Sequence, residues 1–468
     1  MGLRHTPSAP SDVRKLRTNK PLRSVTLTPA AAPKSVPRMP SDTYAAEVND
    51  PIRRLGLNFA MGFLFFRFTG LHEIAAARFG VNTYILYVLG LPAILGMLLS
   101  GGLARTIRSR AAKYWAGFAF FLILSVPLSD WVTGSLTLVL GYLRNELSVL
   151  FLIAGLVITW RECWRLLGMI SIASIVVLLL GQFFREETMG GPAERLTVAT
   201  GLTMGNANDY AAVLTLLLPF LGLVLITPGR AFVLRCVALC GLLFGLYMIL
   251  STGSRGGLIA CLAALIMMLL RLPPLKKMGL AVAAVVIGVT MWRILPETIT
   301  NRLATLVSDD AGGTDAIASG ESRQYLLQKS LLFTVQHPLL GVGPGQFINH
   351  EGLGAKAQGY QGAWHETHNA YTQISSEVGI PAVLLFIGAL LSTFHLLSGT
   401  LKQARARPPS RQNAMIAAGA FCGLIAVVAF CSSSFFLSLG YRFYFPALTG
   451  IAIVLNRAAQ REWDLAQS

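Results

Sequence analysis

Charge is what this sequence has least of. Only 13% of its 468 residues are Asp, Glu, Lys or Arg, while 54% are hydrophobic and the mean hydropathy is +0.59. A soluble domain carries about a quarter charged residues, so that class is excluded. A domain count from length does not apply to such a chain. Acidic residues are scarcer still, 22 against 39 Lys and Arg, for a net charge of +17. In a membrane protein such a surplus collects in the loops of one face, so it gives no argument for a nucleic-acid partner. The six cysteines (Cys163, Cys236, Cys240, Cys261, Cys422 and Cys431) lie in apolar segments or short basic loops. Their spacing suits no metal, and none falls in the long polar segment, so no disulfide framework is expected. Internal repeats are absent, and most apolar segments lack an ionisable residue at their centre.

What the sequence does have is apolar runs. They fall at 55–71, 82–100, 113–129, 138–160, 166–184, 207–226, 232–251, 255–270, 278–295, 381–398, 413–436 and 441–457. A helix crossing the hydrocarbon needs about 20 residues, and most of these come close. Arg67 interrupts the first, and the third and eighth are short. The expectation is an all-α polytopic membrane protein with about 12 transmembrane helices. Residues 1–54, rich in Pro, Ser, Thr, Arg and Lys, are expected to form a disordered basic cytoplasmic tail. They show no apolar core of a signal peptide. Spans one to nine would occupy 55–295, a periplasmic loop 296–380, spans ten to twelve 381–457, and a second cytoplasmic tail 458–468.

Loop charges test this order. Alternate loops hold Arg105, Arg108, Arg110 and Lys113; Arg161 and Arg165; Arg230 and Arg235; Arg271, Lys276 and Lys277; Lys402, Arg405, Arg407 and Arg411; Arg457 and Arg461. The short loops between them hold only Arg78, Arg185, Arg195, Arg255 and Arg442. Twelve spans therefore satisfy the positive-inside rule, with both termini cytoplasmic. The same parity puts Ser251–Gly257 and residues 296–380 together on the outer face.

Within the polar segment, Trp364-His365-Glu366-Thr367-His368-Asn369-Ala370-Tyr371 runs into apolar Tyr371, Ile374 and Val378 at helical spacing. Thr367 or Asn369 can cap that helix, and Gly379 with Pro381 marks its end. His368 then stands at or just before a helix N-terminus, where the dipole disfavours imidazolium and attracts anions. A neutral base beside an anion site suggests transfer on a phosphate-containing substrate. A capped helix with an incidental histidine fits the same residues.

Two further motifs bear on this. Ser251-Thr252-Gly253-Ser254-Arg255-Gly256-Gly257 joins two apolar runs, either as a tight turn with a snorkelling arginine or as a loop that presents donors. Glu321-Ser322-Arg323 opens an expected helix that ends at His337-Pro338. An anion or a salt bridge to Glu321 would account for a cation in its first turn. His365 and His368 stand three apart, unlike the zinc-protease H-E-x-x-H, and no second ligand pair has suitable spacing. No metal is expected.

Together these motifs resemble the O-antigen ligase and O-antigen polymerase superfamily of bacterial membrane glycosyltransferases. The matching residues are Ser254-Arg255-Gly256-Gly257, Arg323 ahead of Pro338-Leu339-Leu340-Gly341-Val342-Gly343, His368-Asn369-Ala370-Tyr371, and Glu377-Val378-Gly379-Ile380-Pro381. Gly205-Asn206-Ala207-Asn208-Asp209 is similar too. The resemblance is specific over 250–390 and topological before 200.

It implies glycan transfer from undecaprenyl diphosphate to a lipid or glycan acceptor hydroxyl, at the periplasmic face of the inner membrane and without metal or cofactor. His368 would match the essential base, and Arg255 and Arg323 the arginines on the diphosphate. Bidentate guanidinium suits phosphate oxygens and the charge of a departing diphosphate. Members divide into ligases, polymerases and protein glycosyltransferases; the ligase is favoured here, with the polymerase as alternative. A polysaccharide-lipid transporter would place ionisable residues at the membrane centre and show related halves. A structural anchor would give no reason for the His and Arg motifs.

Overall fold

The computed structural model describes residues 41–187, 195–198, 203–304 and 314–467. The chain divides into Met1–Ala45 and Ala46–Ser468. Of the first unit, residues 41–45 are described, and they are helical. The disorder expected of residues 1–40 lies outside the described residues. From Ser41 onward the expected disorder is corrected, because Ser41–Asn49 is a helix and the next begins at Pro51. Asp50 caps that second helix, its carboxylate accepting the Ile52 N–H at 2.9 Å, with Pro51 in the first turn.

Ala46–Ser468 is built almost wholly of helices. The described strands are Arg185–Glu187 and Leu196–Val198, paired antiparallel with Arg185 opposite Val198. Eight helices among the described residues are long and apolar enough to cross a membrane. They are Arg110–Leu128, Val132–Leu156, Trp160–Phe183, Ala207–Ile226, Phe232–Ser251, Pro274–Ile294, Ile380–Ala406 and Arg411–Phe436. The other four apolar segments are helical as well, as Pro51–Thr69, Ile85–Leu99, Arg255–Arg271 and Tyr444–Leu465. Two of these are short, at 15 and 17 residues, and Pro51–Thr69 carries three arginines.

Aromatic rings gather where the core helices meet. Phe386 lies edge-on to Trp115 at 5.5 Å and to Phe445 at 5.0 Å, and Phe430 meets Phe445 at 4.8 Å. Such contacts add about 0.5–1.5 kcal/mol each beyond burial. Trp115 also donates to the Thr449 hydroxyl at 3.0 Å, so its N–H is satisfied in an apolar surround. Tyr444–Leu465 supplies the centre and does not stop at residue 457. It continues to Leu465 because Trp463 packs against Ala404, Ile416 and Ala459.

Charged side chains inside the bundle find polar partners. Arg67 reaches both Glu146 oxygens at 2.8 Å and lies 4.5 Å from the Phe443 ring, whose backbone N–H also donates to Glu146. Glu146 sits on a π-helical insertion, Tyr142–Leu147, in the helix that runs on to Leu156. That helix ends in carbonyls taken by three arginines: Arg53 on Leu156, Arg105 on Gly155, and Arg457 on Ala154 and Val157. Cations at the negative end of a helix are favourable, and each otherwise orphaned carbonyl gains a donor.

Among the described residues between Pro274–Ile294 and Ile380–Ala406 are the α-helices Glu297–Ala304, Thr314–Gln336, Phe347–Ala357 and Ala370–Val378. The Pro338–Gly343 stretch docks on the last of them. Val342 and Gly343 donate to the Ser376 and Glu377 carbonyls at 2.9 and 3.0 Å, and Ile380 donates back to Pro338 at 2.7 Å. Gly341 has φ +64°, and a Cβ there would lie 2.2 Å from the Glu377 carbonyl carbon. Only glycine fits that approach.

Candidate functional site

Asn369 caps the helix Ala370–Val378, accepting the N–H groups of Tyr371 and Thr372 at 2.9 and 3.1 Å. His368 therefore precedes the cap, as its spacing predicts. Its backbone is left-handed, at φ +52°, and its N–H donates to the Ser438 hydroxyl at 2.9 Å. A non-glycine residue held there costs of order 1–3 kcal/mol, so the surrounding structure holds that backbone in place. Thr367, buried, contacts the same Ser438 hydroxyl at 3.2 Å and donates to the Asn369 carbonyl.

The His368 imidazole is neutral at ordinary pH. Burial, and after it the charges of Arg323 and His365, lower its pKa to about 4. The lowering expected of His368 is present, but desolvation and nearby charges cause it rather than the helix dipole. Arg323 does not stand in the first turn of its helix. That helix starts at Thr314 rather than Glu321, and Arg323 lies in its third turn.

Arg323 belongs to a cluster. Burial lowers its pKa, and Arg255 and Arg302 lower it further. Arg195 is held down to about 10 by burial and by Arg302, Arg323 and Arg255. Arg195 donates to the Thr252 carbonyl at 2.9 Å and to the Asn208 side chain at 2.8 Å. Arg302 donates to the Gly253 carbonyl at 3.3 Å. The helix Glu297–Ala304 reaches this turn by burying Ile299 and Leu303 against Tyr247, Leu250 and Leu258. Ser251–Gly257 and the polar segment, assigned to one face by loop charge, are thus in contact.

Local geometry explains why the turn has its residues. The Ser254 hydroxyl caps the helix Arg255–Arg271 by accepting the Gly257 N–H at 3.2 Å, so Arg255 is its first residue. Gly256 admits Phe436, whose Cβ a methyl group there would meet at 2.9 Å. Asn206 caps Ala207–Ile226, accepting the Asn208 and Asp209 N–H groups at 2.9 Å, which leaves Asn208 to hold Arg195.

Sequence reasoning singled out Arg255, Arg323 and His368; electrostatic coupling brings all three into one neighbourhood with Arg195 and Arg302. These last two were missed. Arg195 carried a usable signal, being one of few cations in the outer short loops. Arg302 carried none beyond its place in the polar segment. Arg195 thus feels the charges of Arg302, Arg323 and Arg255, and Arg323 those of Arg255 and Arg302 as well as acting on the His368 ring.

His337 and His350 are engaged elsewhere. His350 Nδ1 lies 2.6 Å from an Asp130 carboxylate oxygen, and the His337 ring meets it edge-on at 5.5 Å. Among the described residues no three His, Cys, Asp or Glu side chains are grouped as a metal site requires.

Residues 240–387 match the family model described as O-antigen ligase. The match takes in Arg255, Arg302, Arg323 and His368, and it supports a glycosyltransferase of the ligase and polymerase superfamily that acts on lipid-linked glycans in a membrane. No curated protein matches the chain.

Proposed function

Starting from the O-antigen ligase family of residues 240–387, we propose that the chain moves a glycan from undecaprenyl diphosphate to an acceptor hydroxyl at the outer face of the inner membrane. The observation that carries this reading is one neutral histidine beside four clustered arginines. In the reaction the acceptor oxygen bonds to the anomeric carbon while the bond from that carbon to the diphosphate breaks. His368 takes the hydroxyl proton as the oxygen attacks. The diphosphate leaves with the electron pair, and Arg255, Arg323, Arg195 and Arg302 hold its growing charge. The His368 side chain is half-buried, which limits water while leaving an approach for the acceptor.

The twelve helical segments span the membrane in this reading, with both termini inside and residues 296–380 outside, as loop charge requires. The acceptor is a lipid-borne sugar, as in a ligase; a polymerase differs only in that the acceptor is a second carrier-linked glycan. A transporter is less well supported, since fixed anion binding beside a base serves bond cleavage more than passage.

Single-turnover transfer from a purified carrier-linked glycan tests the reading. Arg255→Lys and Arg323→Lys are each expected to lose most activity while remaining folded, because a point charge cannot replace a planar fork. Near-normal turnover in either variant removes that residue from the diphosphate clamp.

A further inference from the structure

Far from this site, a groove of about 470 Å³ opens between the helices Trp160–Phe183, Ala207–Ile226 and Phe232–Ser251. Its rim includes Thr227, at the opposite end of Ala207–Ile226 from Asn206. Twenty residues of helix separate the two by about 30 Å. The groove therefore lies at the other membrane face from the arginine cluster described above.

The walls are apolar, with Gly168, Ile172, Ile175, Leu221, Val224 and Ala238 among them. From Arg165 at the rim to Ile175 at the bottom is ten residues, about 15 Å along the helix. That is half of a hydrocarbon core about 30 Å thick, the depth of one leaflet. The rim is basic. Arg165 and Arg230 line it, and the Arg230 guanidinium lies 5.5 Å from the Trp164 ring. Arg235 is bound to the Thr227 carbonyl at 3.1 Å, and its buried Nε has no partner. Arg411 lies against Gly229, where a Cβ would meet it at 2.9 Å. Among the described residues none of these four arginines forms an ion pair, and no carboxylate lines the groove.

We propose that this groove binds one anionic diacyl phospholipid, its phosphate among Arg165, Arg230, Arg235 and Arg411 and an acyl chain along the walls. Basic pockets between helices at the cytoplasmic side suit such headgroups. A free anion leaves the apolar walls uncovered, and a zwitterionic headgroup brings a further cation toward four arginines. The Trp164 indole beside Arg230 at the rim suits headgroup depth, where such rings are favoured.

Native mass spectrometry of the full chain tests this, with phosphatidylglycerol, phosphatidylcholine and a polyprenyl phosphate offered in equal amounts. One phosphatidylglycerol should remain bound, at least tenfold preferred over phosphatidylcholine. Arg165→Gln with Arg230→Gln should bring that preference to parity. Gly168→Leu, which fills the groove and leaves every arginine, should release the lipid. Equal retention of phosphatidylcholine, retention of polyprenyl phosphate instead, or phosphatidylglycerol binding unchanged in both variants overturns the proposal.

Discussion

At the scale of single residues, the proposed reaction rests on how His368 is kept neutral. A pKa of about 4 makes it a weak base at neutral pH, since the best catalytic base titrates near the working pH. An anionic donor changes this. Diphosphate charge beside Arg323 offsets the guanidinium that disfavours imidazolium, so the ring becomes more basic once the donor binds. The expected pH profile follows. Activity falls on the acid side, because protonated His368 accepts no proton. The limb in kcat/KM, which reports the free enzyme, lies near pH 4, and the limb in kcat lies higher. Coincident limbs would remove the donor's influence on the ring. Arg195 makes a second prediction at this scale. Losing one charged hydrogen bond costs about 1.5–3 kcal/mol, so Arg195→Gln should weaken donor binding by roughly tenfold or more, read by direct titration.

At the scale of elements, the site depends on a polar segment made rigid by buried acceptors. Glu377 is the main one, accepting from Tyr441 at 2.7 Å, Gly345 at 2.8 Å and Phe347 at 3.3 Å. Burial raises its pKa to about 7 in spite of those donors. Glu377→Ala orphans all three, at about 1–3 kcal/mol for each buried donor. It is expected to lower thermal stability and turnover together while His368 stays chemically intact. Unchanged melting with lost turnover would instead give Glu377 a direct role. Much of this layer was legible in advance, because caps and periods are local. Asn369, Gly379 and Pro381 mark the histidine's helix by short-range rules, and the twelve apolar runs fall on helices, eight of them among the described residues long and apolar enough to cross a membrane. What escaped was long-range. Nothing near Arg67 reveals Glu146, 79 residues on, and nothing near Gly253 reveals Arg302. The start of the helix at Thr314 escaped too, its first turns lacking an apolar period.

At the scale of the whole molecule, the proposed reading has loop charge orient the bundle so that His368 and the arginines face outward. A cysteine at Gly359, in a background without the six native cysteines, should react with an impermeant thiol reagent from outside. One at Arg407 should react only after lysis. The reverse pattern would invert the topology. The account's central claim, transfer of a carrier-linked glycan by base catalysis at His368, is tested most directly by single-turnover transfer in purified protein, with His368→Ala and His365→Ala compared in the presence and absence of EDTA. His368→Ala should lower the rate on the order of 10²–10⁴ with donor affinity little changed, since a general base contributes about that much. His365→Ala should be mild, and EDTA without effect. Normal transfer by His368→Ala, or activity lost to EDTA and restored by zinc, would contradict the account.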